Sequence, residues 1–238
     1  MKKFWKKIGI NSIWICLGLC ICGYFIYKGL KTFSDKERTV YVKGLSEKIV
    51  EADYATMTIT YTLGGNEMQE VLKQIEANNN KIKSFIKSKG IDEKDITVST
   101  PMIKDKTNTE WAEDTDRKYT YRYFASVNIA IASNKTKAVR EVEVNQFDLF
   151  KEGIQIQQYY YDDNSAKYEF TNINDLKPSM IKEAAANAKK AATELSANTG
   201  SKIGNIKSAS QGQIDVSTTQ NPLELKVRVV STIEYFLK

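Results

Sequence analysis

The sequence predicts an α+β fold: mixed and antiparallel sheets packed with helices, behind one N-terminal transmembrane helix. Three observations predict it. Residues 8–27 carry no charged side chain and are mostly apolar. Beyond them, strand-like alternation outnumbers helical periodicity, and hairpin-like connections are frequent. From 52 to 161 the order reads strand, helix, strand, strand, helix, strand. That is the split βαβ, ferredoxin-like order, and strand, helix, strand, strand follows it.

The apolar run comes first. At about 1.5 Å per residue, a helix of that length covers about 30 Å, the hydrocarbon thickness of a bilayer. A helix also satisfies its own backbone in lipid. Trp14, Tyr24 and Tyr27 suit the interfacial ends, and Lys2, Lys3, Lys6 and Lys7 mark the cytoplasmic side. The expected organisation is a cytoplasmic tail and single transmembrane anchor over 1–31, a linker over 32–38, and one extracytoplasmic domain over 39–238. The protein would then sit in the cell membrane as a single-pass protein, its domain periplasmic or at the cell surface. A cleaved signal fits less well. The small residues Thr32 and Ser34 are separated from the apolar core by Lys28 and Lys31. Leu19 before Cys20 and Ile21 before Cys22 do not suit a lipoprotein signal.

Charge and cysteine usage narrow the chemistry. The net charge of +6 is accounted for by Lys2, Lys3, Lys6, Lys7, Lys28 and Lys31, so the remainder is neutral. That balance gives no support to a nucleic-acid partner. All three cysteines, Cys16, Cys20 and Cys22, lie in the apolar run, so the exported part has no disulfide and depends on its core. Histidine is absent, which excludes Ser-His-Asp and Cys-His catalytic units and His-ligated metal.

The elements follow in order. Residues 39–44 alternate and end in Gly44, a strand and then a turn. Residues 52–63 read as a half-buried strand, with Met57, Ile59, Tyr61 and Leu63 alternating with threonines. Gly64 and Gly65 turn it, and Asn66 caps a helix whose apolar positions include Met68, Val71, Leu72, Ile75, Ile82, Phe85 and Ile86. Gly90 stops that helix. Residues 95–106 form a strand, 105–116 an acidic loop around Trp111, and 118–133 the longest strand. A shorter helix over 135–149 ends at Gly153. Residues 154–161 and 167–170 read as a hairpin around Asp162, Asp163, Asn164 and Ser165. Asp175 opens the clearest helix, with Pro178 in its first turn and Met180, Ile181, Ala184, Ala188, Ala191, Ala192 and Leu195 on one face. Gly200 ends it. Residues 202–210 are strand-like, a loop rich in Gly, Ser and Thr runs to Pro222, and 225–237 form the last strand.

Candidate sites are sparse. Tyr119, Tyr121 and Tyr123 stack on one face of a strand, as in an RNA-recognition module. That module's glycines are missing and the charge is neutral, so an ordinary sheet face or interface is the better reading. Asp162, Asp163 and Asn164, like Asp114 and Asp116, start as calcium loops do, but Ala166 and Lys118 stand at the third ligand position. Asn134, Lys135 and Thr136 match a glycosylation acceptor. No pair of carboxylates is singled out. The residues thus designate no catalytic, cofactor-binding or metal site, and no cofactor.

Several stretches together resemble one family. Val40-Tyr41-Val42-Lys43-Gly44 with Ala52-Asp53-Tyr54-Ala55 is similar to the strand, Gly and Asp-x-Ala start of the SIMPL (DUF541) domain. Gly90-Ile91 with Asp95-Ile96-Thr97 resembles its Gly, then Asp-Ile-x-Thr. Ala184, Ala185, Ala188, Ala191, Ala192 and Leu195, with Gly200 and Gly204, resemble its Ala-rich helix and Gly-x-x-x-Gly exit. Residues 226–235 are similar to its terminal strand. Ser46 stands where the family often has a second glycine. The resemblance implies an exported, mixed α+β, non-enzymatic protein of the bacterial envelope, linked to envelope stress, with some members assembling into rings or channel-like oligomers. It brings no catalytic residues.

Two functions follow as expectations. The first is a membrane-anchored envelope protein that acts by self-assembly, as a homo-oligomer, or by protein binding. The alternative is a carboxylate-dependent extracytoplasmic enzyme such as a glycan hydrolase. A deep pocket with paired carboxylates would favour the enzyme, and exposed strand edges the assembly.

Overall fold

The chain begins with one long helix, α1 (Lys2–Asp35). The computed structural model describes residues 2–35, 38–107, 120–157 and 165–238. No residue of Trp14–Lys31 is covered by the rest of the protein, and the span is long and apolar enough to cross a membrane. A core helix would be covered, whereas a membrane anchor or a signal sequence has this character. Beyond it the fold is α+β, with antiparallel sheets packed against helices. The chain divides into two compact units. One comprises Ile49–Ile173 and Val216–Lys226, the other Met1–Lys48, Asn174–Asp215 and Val227–Lys238.

The strand β1 (Thr39–Glu51) leads from the second unit into the first. The first unit then holds β2 (Tyr54–Gly65), α2 (Met68–Ser88), β3 (Ile96–Val98), β4 (Met102–Asp105), β5 (Tyr123–Ser133), α3 (Thr136–Asn145), α4 (Asp148–Lys151) and β6 (Lys167–Glu169). Its sheet runs β3-β5-β2-β6, with β4 beside β5, and each of these pairings is antiparallel. Strand β5 lies between β2 and β3, which α2 connects. Strand β2 lies between β5 and β6, which α3 and α4 connect. The split βαβ arrangement is therefore present, interleaved twice, with its last strand supplied by 167–169 rather than by the expected 154–161.

Period-two alternation decides which face is covered. Ala55, Met57, Ile59 and Tyr61 of β2 are buried, as are Val127, Ile129 and Ile131 of β5. Val71, Ile75, Ile82 and Ile86 of α2 and Val139 and Val142 of α3 belong to the same core. The opposite face carries threonines of β2 beside Ser126, Asn128, Ala130 and Ala132 of β5, and there Thr60 donates to Asn128 Oδ1 at 2.9 Å.

The second unit has most of α5 (Ile173–Asn198), β7 (Ile203–Thr218) and β8 (Glu224–Leu237), with sheet order β1-β8-β7. Leu237 N–H donates to the Arg38 carbonyl at 2.8 Å. Nine residues further into each strand, Arg228 approaches Glu47 at 3.7 Å, so β1 and β8 run antiparallel. Lys202 and Lys238 exchange backbone bonds of 3.0 and 2.7 Å, which makes β7 and β8 an antiparallel ribbon.

Several local readings change. Gly44 lies inside β1 rather than at a turn. Gly64 and Gly65 lie inside β2, paired with Phe124 and Tyr123. Asn66 does not cap α2; its Oδ1 accepts from Arg122 N–H at 3.0 Å, and Glu67 precedes the helix without a side-chain cap. The strand over 95–106 breaks into a short turn of 3-10 helix, β3 and β4 around Pro101. The helix over 135–149 divides into α3 and α4. The hairpin is replaced by two pieces along one edge. Ile156 bridges Tyr61, and β6 pairs with the start of β2, both antiparallel to it. Finally, the loop expected up to Pro222 is largely β7.

Candidate interaction surface

Three glycine-dependent contacts and one bare strand shape the three-stranded sheet. Helix α5 buries Met180, Ala184, Ala188, Ala192 and Ser196, a stripe of spacing four. The small side chains let the helix sit close. A Cβ on Gly44 would lie 1.9 Å from the Ala184 carbonyl oxygen and 2.4 Å from Ala188 N. That approach explains a glycine inside a strand. Further ties hold β1 to α5: Ser46 Oγ donates to Glu183 at 2.8 Å, and Asn187 donates to the Leu45 carbonyl at 2.8 Å. Val40, Val42, Ile233 and Tyr235 complete the core with Ala188 and Ala192. Leu195, expected on that face, is half exposed, and Ser196 takes its place.

Among the described residues, nothing packs as a layer on the opposite face of this sheet. Tyr41 is 62% exposed and Leu45 39% on β1, and Ile206 is 55% exposed on β7. From Asn205 to Asp215 all residues of β7 except Ile214 are exposed. Gly204 and Gly212 let β7 press against β8, at Phe236 and Val230 respectively.

The tyrosines read as an interface divide. Tyr123 is half-buried against the first unit's core, and Arg122 lies over its ring at 4.9 Å. Tyr121 is half exposed, seated over Gly64. Tyr119, the run Tyr159 to Tyr161, and the acidic turns at 114–116 and 162–164 lie outside the described residues. Asn134 is exposed just ahead of α3.

Carboxylates in the first unit are engaged by the fold. Asp53 accepts from Thr171 N–H at 2.7 Å, Asn172 N–H at 3.1 Å and the Asn172 amide at 2.8 Å. Desolvation opposes its ionisation, but the backbone donors of Thr171 and Asn172 prevail and hold its carboxyl below the usual value. Glu143 accepts from Tyr168 Oη at 3.0 Å, Ala166 N–H at 3.0 Å and Arg140 at 2.6 Å. Burial, and then the Glu143 carboxylate, push the Tyr168 phenol up. Asp105 is held down to about 2, first by the Arg122 guanidinium and then by Thr107. A cavity of about 470 Å³ borders Glu143, Tyr168, Thr219 and Pro222. It presents one carboxylate already bound on several sides, plus Glu169 in its lining. Among the described residues no cluster of His, Cys, Asp and Glu has metal-binding geometry.

Sequence reasoning reads the first half of β7 as a strand over 202–210 and misses its continuation to Thr218. Its signal is faint: Ile206, Ile214 and Val216 share parity, with Ser208, Ser210 and Gly212 between them, and no proline interrupts.

A family model described as SIMPL, protein of unknown function (DUF541), matches residues 40–234. No curated protein matches the chain.

Proposed function

The chain belongs to the SIMPL (DUF541) family, and on that premise we propose that it is a single-pass protein of the bacterial envelope that works by self-assembly or protein binding, without catalysis. Its N-terminus lies in the cytoplasm and residues 39–238 lie outside, as the cationic flank of the apolar helix favours. The envelope-stress setting rests on the family resemblance alone.

One observation carries the reading: among the described residues, β7, a strand of sixteen residues, is solvated on both faces and open along one edge. A monomer gains little from such a ribbon, whereas an interacting protein gains a ready surface. Anchoring adds to this, because copies held in one membrane meet at raised effective concentration. The engagement of Asp53 and Glu143 by neighbouring donors favours a structural role for both over catalysis.

The test has two parts. Protease added to intact, wall-stripped cells should digest the region after residue 39; protection would reverse the topology. Sedimentation of the full chain in mild detergent should give species larger than one copy. A single-copy species at all concentrations would rule out self-assembly and leave only a different protein as partner.

A further inference from the structure

The edge of β7 carries information about what pairs with it. Strands left open in soluble proteins are usually blunted by proline, several lysines or inward charges. Over its whole length β7 has no proline and two charges, Lys207 and Asp215. The adjacent residues Lys207 and Ser208 both reach Glu234 of β8, through Nζ at 3.0 Å and Oγ at 3.2 Å. These side-chain bonds tie β7 to β8, its neighbour on one side. Among the described residues nothing pairs with the other side of β7, so 207–215 run along the open side of the sheet.

The charge pattern selects the occupant. Lys207 and Asp215 lie four residues to either side of Gln211. A second strand of the same sequence, laid antiparallel about a two-fold axis at Gln211, sets Lys207 opposite the partner's Asp215 and Asp215 opposite the partner's Lys207. Gln211 meets its own copy, Ala209 meets Gln213, and Ser210 meets Gly212. Directly opposite residues share a face, so each ion pair forms on one side of the sheet. Lys207 then bridges Glu234 of its own chain and the incoming aspartate. Two-fold interfaces require a self-complementary surface, and this edge is one.

We infer that residues 207–215 of β7 pair with the same stretch of a second copy, antiparallel and centred on Gln211. The inference rests on the self-assembly reading and names its contact. Two three-stranded sheets thereby become one continuous sheet across the axis.

Cysteine cross-linking of the full chain in membranes tests it, with Cys16, Cys20 and Cys22 replaced by serine. Opposed residues in an antiparallel pair lie about 4.5–5.5 Å apart at Cα, within disulfide reach. Gln211→Cys should give a covalent dimer on mild oxidation. Lys207→Cys and Asp215→Cys should each give none, and the double variant should cross-link. These side chains are exposed, so folding is not at stake. Adding Asp215→Lys to Gln211→Cys should lower cross-linking roughly tenfold by opposing like charges. Suppose the unsubstituted chain sediments as an oligomer but Gln211→Cys does not cross-link, or Lys207→Cys alone does. The register is then wrong while self-assembly stands. If the unsubstituted chain sediments as a single copy, both fall.

Discussion

Around β2 and β5 the core is built of large side chains: Ile59, Tyr61, Ile82, Ile86, Ile129 and Ile131 are all essentially inaccessible. Under α5 the contact with β1 is made by small ones, since Gly44, Ala184, Ala188 and Ala192 bring the helix close to a narrow sheet. The first arrangement gains stability from apolar area removed from water. The second gains it from close backbone approach, and it leaves β7 without cover. The difference teaches where tolerance lies. The five-stranded sheet should suffer from lost volume, the three-stranded sheet from added volume, and β7 from neither within one chain.

The largest expected effect tests the first clause. Ile129→Ala should destabilise by about 2–5 kcal/mol, the range for deleting a buried branched side chain. Ile206→Ala on β7 should stay within about 0.5 kcal/mol in a non-associated sample. Urea unfolding of the full chain in detergent, followed by far-UV circular dichroism, measures both. Equal costs would break the comparison.

Added volume comes next. Gly44→Ala should cost about 1–3 kcal/mol or prevent α5 from docking, because the new methyl meets fixed backbone. Gly64→Ala is the control. There the nearest atom, Cδ2 of the half-exposed Tyr121 at 2.6 Å, belongs to a side chain, and no backbone atom comes as near. Similar losses at both glycines would mean that backbone and side-chain contacts have been weighed wrongly.

These glycines also show what the sequence could convey. The large-side-chain sheet was legible because alternation over Met57, Ile59 and Tyr61 and the spacing in α2 are strong period signals. Gly44 was misread because local rules assign glycine to turns, whereas here a helix far along the chain requires it. The second half of β7, 211–218, was misread for the same lack of local signal. It buries no face, so it shows no apolar period, and its Gly, Ser and Gln residues look like a loop. The hairpin expected around 162–165 failed because both of its arms pair with β2, a choice set by tertiary contacts. The candidate surface was anticipated only in kind. Aromatic strands were expected to carry it, yet Tyr123 is partly in the core, and the open edge lies elsewhere.

A smaller effect concerns how the large core accommodates a polar atom. Tyr61 is fully buried, and its hydroxyl lies 2.9 Å from Asn79 Oδ1 and 3.2 Å from the Ile75 carbonyl. Burial pushes its phenol up to about 12, so it remains a neutral donor through the physiological range. Tyr61→Phe should cost about 0.5–1.5 kcal/mol. The loss should be constant between roughly pH 6 and pH 9, well below the raised phenol value, measured by the same urea series. A pH-dependent loss would mean that the hydroxyl is ionising and is more solvated than its burial indicates.

The smallest effect belongs to Asp53, which fastens the residues just ahead of α5. Desolvation works against its charge, but the Thr171 and Asn172 N–H groups outweigh it, and the folded carboxyl titrates below its usual value of 3.8. The sign follows from linkage. A carboxyl whose folded value is depressed binds its proton more readily in the unfolded chain, so it stabilises the fold above the unfolded value. That contribution fades as pH falls through about 4 towards the lower, folded value. Asp53→Asn keeps the size and one acceptor oxygen but removes the charge. Its cost at about pH 7 should be under about 1 kcal/mol, because the carboxylate is partly solvated. The gap between wild type and variant should then narrow as the pH is lowered from about 5 to about 3. Other carboxylates lose stability in the same window, Asp105 among them, so only the difference between the two proteins is diagnostic. A gap that stays constant across that range would mean that Asp53 acts through shape alone, and that its charge does not help hold the entry to α5.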